Sequence, residues 1–214
     1  MLPENKILLK EADDILENTH RCLDKGSQWA AAVIQNWEHN SLKNMAIADK
    51  LEREEYYSLR ALIVGHLKAF KSHIQTCKTL SLRMQETAED YSADMQGQHK
   101  LALDSLEKAL AAVHGMQHSK FCHNHPGRCE KIIENLSKVK IGFDAWKTSL
   151  KNNTDKLVKI LPVLLKSPQS TPALEHKISH LTFLLSFFKA LVSLFKKISE
   201  KVQPAKPGSR QIPR

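Results

Sequence analysis

The sequence predicts an all-α protein: an elongated helical bundle or intramolecular coiled coil of about five or six helices. Three observations carry that expectation. No proline interrupts the chain between Pro3 and Pro126, and proline is the residue that most strongly breaks a helix. Aromatic residues make up only 6% of the chain and there are seven glycines, so the residues that favour strands and tight turns are scarce. Apolar residues instead recur at alternating spacings of three and four, the pattern of a helix that buries one face.

The first helix is expected over about residues 4–24. Pro3 suits a first-turn position, Glu4, Glu11, Asp13 and Asp14 suit the N-terminal half of a helix, and Leu8, Ala12, Ile15, Thr19 and Cys22 share a face. Gly26 reads as its stop and Ser27 as the next N-cap. Trp29, Val33 and Trp37 then form a second stripe, with a break expected at His39-Asn40-Ser41.

A long seam follows: Leu59, Ile63, Leu67, Phe70, Ile74, Cys77 and Leu80. It thins through Met84, Ala88, Tyr91 and Met95, then resumes at Ala102, Leu106, Ala109 and Val113. With no proline or Asn-Gly pair to force a turn, the pattern favours one kinked helix of about sixty residues and roughly 90 Å. A hairpin near Met95 to Gln98, beside Gly97, is the alternative.

Positions 114–130, HGMQHSKFCHNHPGRCE, hold His114, His118, His123 and His125 together with Cys122 and Cys129. Spacings of four put His114, His118 and Cys122 on one side of a helix, and His125 and Cys129 would complete a zinc set from the loop beyond. The simpler reading is a helix end, with Pro126-Gly127 making a tight turn. Zinc is the one cofactor these residues suggest. The chain opens without a secretory pattern, so the four cysteines are expected as reduced thiols in an intracellular, cytoplasmic protein.

After this segment Ile132, Leu136, Val139, Phe143, Trp146 and Leu150 form the most regular heptad in the chain, continued by Leu157, Leu161 and Leu164. Pro162 allows a kink, and residues 166–172 read as a linker. Residues 1–202 are thus expected as a single helical domain with a possible sub-boundary near 122–128, followed by a disordered tail over 203–214.

The last helix, from about Pro172 to Val202, contains the most hydrophobic stretch. Phe183, Leu184, Phe187, Phe188, Leu191, Leu194 and Phe195 spread over a wide apolar arc, opposite a polar stripe that includes Lys189, Lys196 and Lys197. Lys189 near its middle argues against a transmembrane span. Two uses fit: the central helix of a bundle, with lysines reaching water, or an interfacial helix on an anionic membrane.

Charge is polarised along the chain. Residues 1–119 carry 14 basic and 17 acidic side chains, whereas residues 120–214 carry 18 and 6, so the second part alone is +12. That basic part has only Arg128, Arg210 and Arg214 as arginines. Lysine-dominated charge suits acidic surfaces better than base-edge readout, which makes nucleic acid an unlikely partner.

No phosphate-binding glycine loop, Gly-x-Ser-x-Gly or His-Glu-x-x-His motif is present in the sequence. Glu17-Asn-Thr-His20 matches half of a di-iron motif that needs two such pairs. The expectation is therefore a non-catalytic scaffold or adaptor without a small-molecule substrate, binding other proteins or itself through Ile132, Leu136, Val139, Phe143 and Trp146. The alternative is a peripheral membrane protein that binds anionic lipid through residues 178–198.

Overall fold

A computed structural model describes residues 3–39, 47, 49–87, 89, 91–166 and 172–201. Within the helices, the side chains of residues 3–6, 8, 9, 39, 128–143, 173, 174, 195 and 197–201 lie outside that description. The described residues form α1 (Pro3–His39), α2 (Lys50–Glu86), α3 (Ser92–Gln117), the short α4 (Lys120–Asn124), α5 (Pro126–Leu165) and α6 (Pro172–Lys201). The five long helices pack as an all-α bundle.

Neighbouring helices pack as the seams require. α2 lies along both α1 and α3, α5 lies along α1 and α6, and α6 touches all four of the other long helices. The apolar arc of α6 supplies Ile178, Leu181, Leu184, Phe187, Phe188 and Leu191 to a core shared with Leu16 and Leu23 of α1, Phe70 and Ile74 of α2, Leu106 of α3 and Leu157 of α5. Val33 and Trp37 of α1 join Tyr56, Ile63 and Leu67 of α2, Met116 of α3 and Phe121 of α4 in a second cluster.

Several boundaries differ from the sequence reading. α1 does not stop at Gly26; it runs on to His39. A Cβ built at Gly26 would lie 2.5 Å from Cζ2 of Trp146, so the missing side chain is a notch for an indole rather than a helix end. Trp146 fills that notch, stacks on Trp29 with ring centroids 5.6 Å apart and meets Phe70 at 5.7 Å.

The helix expected to run through Gly97 is instead two antiparallel elements. α2 ends at Glu86, where Thr87 turns extended and returns both its N–H and its hydroxyl to the carbonyl of Arg83. The chain folds back before Met95, and Gly97 lies exposed within α3. The stripe thins at residues 84–91 because the chain leaves one helix face there and begins another.

Pro126 and Gly127 also sit differently from the expected turn. Ser119 caps α4 by accepting from the N–H of Cys122 at 3.2 Å, and Pro126 opens α5 in its first turn, where a proline's missing N–H costs nothing. Apart from Lys166 and Pro172, the expected linker 166–172 lies outside the described residues, and so does the tail 203–214.

Candidate functional site

Among the described residues a buried polar chain lies where α6 meets α1 and α2. His20 of α1, Ser81 of α2 and His180 of α6 are 7%, 0% and 1% exposed. The Ser81 hydroxyl is 2.7 Å from Nε2 of His20 and 2.9 Å from Nε2 of His180. A hydroxyl carries one proton, so it donates to one imidazole and accepts an N–H from the other. Two neutral rings of opposite tautomer satisfy the chain, and neither needs an added proton.

His99 of α3 lies beside it, 6% exposed. Its ring stacks on Phe187 at a centroid distance of 3.7 Å with planes 3° apart, and on Phe183 at 4.8 Å. Its Nε2 is buried and has no hydrogen-bond partner among the described residues. His176, one turn before His180, donates from Nε2 to the carbonyl of Met84 at 2.8 Å. Four histidines from three helices thus surround the docked face of α6.

Electrostatics keep the three buried rings neutral. Burial, reinforced by His180, pushes the His99 imidazole down to about 3. Burial, with His20 and His176 nearby, pushes His180 down to about 4. His20 is also lowered, by burial first and by Lys78 next, against the opposing pull of Asp24 and Glu17. Lys78 is held in place by both carboxylate oxygens of Asp24, each at 2.8 Å.

The residues singled out from sequence are distributed among other tasks. His114 and His118 are exposed, with ring centroids 4.5 Å apart. Cys122 is disulfide-bonded, which corrects the expectation of a reduced thiol and removes its thiolate from any zinc set. Nε2 of His125 lies 3.1 Å from Glu52, which also accepts from Asn124 and so ties the α4–α5 junction to the start of α2. The side chain of Cys129 lies outside the described residues. Among the described residues no three His, Cys, Asp or Glu side chains are grouped to hold a metal ion. The other thiols, Cys22 and Cys77, are free and buried, and burial pushes them up to about 11 and about 12.

Of the expected association face, Ile132, Leu136, Val139 and Phe143 fall among the side chains outside the description. Trp146 belongs to the core at 1% exposure and is withdrawn from any exposed face. On α6, Leu184, Phe187, Phe188 and Leu191 are buried, Phe183 and Leu194 are partly buried, and Lys189 and Lys196 are exposed. Phe195 and Lys197 lie outside the described side chains. Glu17 and His20 diverge: Glu17 pairs with Arg21 at the surface, whereas His20 turns inward.

The histidine–serine chain left a signal in the sequence that the reading passed over. Ser81 stands on the seam between Cys77 and Met84, His99 between Met95 and Ala102, and His180 precedes Leu184 and Phe187 at the same spacing. Polar residues on an apolar stripe require partners within the core. No protein-family model, curated protein or solved structure significantly matches this chain.

Proposed function

We propose that this chain is a non-catalytic α-helical scaffold that associates with other proteins or with a second copy of itself. The observation that supports this most is the end of α5. Val158, Val163 and Leu165 are 45%, 54% and 66% exposed, and Pro162 between them is also exposed. Val158, Pro162 and Leu165 follow one another at spacings of four and three, so they share a face. A contiguous apolar strip of this kind is what association covers. Sedimentation at micromolar concentration tests the proposal, together with co-purification from cells. Val158→Lys with Leu165→Lys is expected to dissociate the assembly or release its partners while leaving helix content unchanged. A wild-type monomer that retains no partner would overturn it.

A second reading is favoured by the composition of α6. Within Glu175–Leu194 an 18-residue window reaches a mean hydropathy of 1.3, and the exposed Lys189 and Lys196 stand on the opposite side of that helix. An apolar face backed by lysines suits the surface of an anionic membrane. In this bundle the apolar face is packed inward, so the reading requires α6 to leave its neighbours.

A further inference from the structure

We propose that the His20–Ser81–His180 chain, with His99 stacked against Phe187, is an acid-sensitive latch that holds α6 in the bundle and frees its Phe/Leu face for an anionic lipid bilayer. This inference rests on the membrane reading of α6 and adds the device that controls it.

The geometry carries the argument. Three histidines on three different helices meet at the docked face of α6, and each is buried. In the neutral state one proton on Ser81 and one on an imidazole Nε2 satisfy both contacts. A further proton on the Nε2 that accepts from Ser81 makes both rings donors toward the hydroxyl, whose own proton then has no acceptor in the His–Ser–His chain. The imidazolium so formed is also buried. Among the described residues His99 has no hydrogen-bond partner at Nε2, so a proton added there meets the faces of Phe183 and Phe187 rather than an acceptor. A cation–π contact is worth a small part of the desolvation cost of a buried cation.

The surroundings oppose protonation from several directions. α1 contributes Glu17 and Asp24, which favour a charged His20, but α2 brings Lys78 against it. On α6 itself His176 faces His180, and the rings of His20 and His99 repel it from α1 and α3. α5 contributes only uncharged Asn153 and Thr154 to the buried polar groups described, and Asn153 is engaged by Thr19 of α1. The surface pair of Lys177 on α6 with Asp13 on α1 spans the same interface. Protonation therefore acts on the docking of α6 from inside the core.

The freed face matches a bilayer better than another helix. It presents Phe183, Phe187 and Phe188 with leucines, and its solvent side carries Lys189 and Lys196 within the part of the chain whose net charge is +12. Lysines on the polar face attract anionic headgroups while phenylalanine and leucine enter the acyl boundary.

The test uses the full chain and two vesicle types, phosphatidylcholine alone and phosphatidylcholine with phosphatidylserine, near pH 7.5 and near pH 5. Flotation is expected to show capture by the phosphatidylserine vesicles near pH 5, at least about tenfold above that near pH 7.5. Amide-exchange protection without lipid, corrected for intrinsic rates, is expected to fall in α6 before α1–α3. His99→Phe with His180→Gln is expected to abolish both pH responses. Lys189→Glu with Lys196→Glu, both at exposed positions, is expected to abolish capture while leaving α6 opening intact.

α6 opening in acid without vesicle capture would overturn the membrane reading and with it the proposed occupant. Equal capture at both pH values, or an acid response unchanged in the histidine variant, would overturn the latch alone. Loss of protection in all helices at one pH would also overturn it. Should the histidine variant fail to fold at neutral pH, His180→Gln alone, with half the response expected, decides the same point.

Discussion

Gly26 shows how one missing side chain can specify a helix crossing. Its Cα faces the Trp146 ring so closely that a Cβ would collide with Cζ2 at 2.5 Å and with Cε2 at 2.7 Å. Alanine at a helix position normally gains up to about 1 kcal/mol over glycine. Overpacking a core costs about 1–3 kcal/mol, so Gly26→Ala is expected to destabilise the protein, read as a lower denaturation midpoint with an unchanged slope. Gly65 and Gly97 have nothing within 4 Å of a built Cβ. The sequence marks Gly26 as special, but a single chain read in one dimension cannot say that an indole from 120 positions onward occupies its space.

The buried histidines carry a pH dependence whose sign follows from their depressed folded values. An unfolded histidine titrates near 6.5, and His99 and His180 in the bundle titrate at about 3 and about 4. The unfolded chain therefore binds more protons at acid pH. The stability is fully present above about pH 6.5 and is lost as pH falls toward 4. At pH 5 each of these two rings forfeits about 2 kcal/mol, together on the order of 4 kcal/mol. A domain of this kind has only about 5–15 kcal/mol in total. Denaturant titrations between pH 7.5 and 5 are expected to show that loss, and its absence in His99→Phe with His180→Gln would attribute it to these rings.

At the scale of elements, the ends of the helices were the least legible feature and their faces the most. The α2–α3 turn contains neither glycine nor proline; Thr87 terminates α2 by returning its own polar groups to Arg83. That signal is local and weak, whereas the seam on either side is repeated over many turns. The start of α2 is clearer. Asp49 accepts the N–H of Glu52 at 2.9 Å, leaving the Glu52 carboxylate to hold Asn124 and His125. Asp49→Ala is expected to cost about 1 kcal/mol of stability and to raise amide exchange first in the opening turn of α2. The α4–α5 junction should loosen with it, because Glu52 loses its anchored backbone.

For the whole molecule, composition and periodicity were enough to indicate an all-α bundle, since long amphipathic stripes have few other ways to leave water. For α6 they left two uses open, bundle centre or membrane surface, because a wide apolar arc suits either. What they did not convey is where polar groups meet inside. Ser81 and His180 are 99 residues apart, and only the packing of α6 against α2 brings them to 2.9 Å. The same limit explains the histidine–cysteine stretch, whose density along the chain suggested a ligand set. Folding sends His114 and His118 to the surface, Cys122 into a disulfide and His125 to Glu52.

The indole pair of Trp29 and Trp146 gives the protein a built-in optical gauge. The chain's three tryptophans, with Trp37 the third, sit on α1 and α5. Two indoles 5.6 Å apart and tilted by only 25° couple their near-ultraviolet transitions, so circular dichroism in that band follows the seam between those two helices. No such chromophore rides on α6. Movement of that helix can therefore proceed with the indole band nearly constant, and spectroscopic silence at mild acidity would be the mark of a local event rather than collapse.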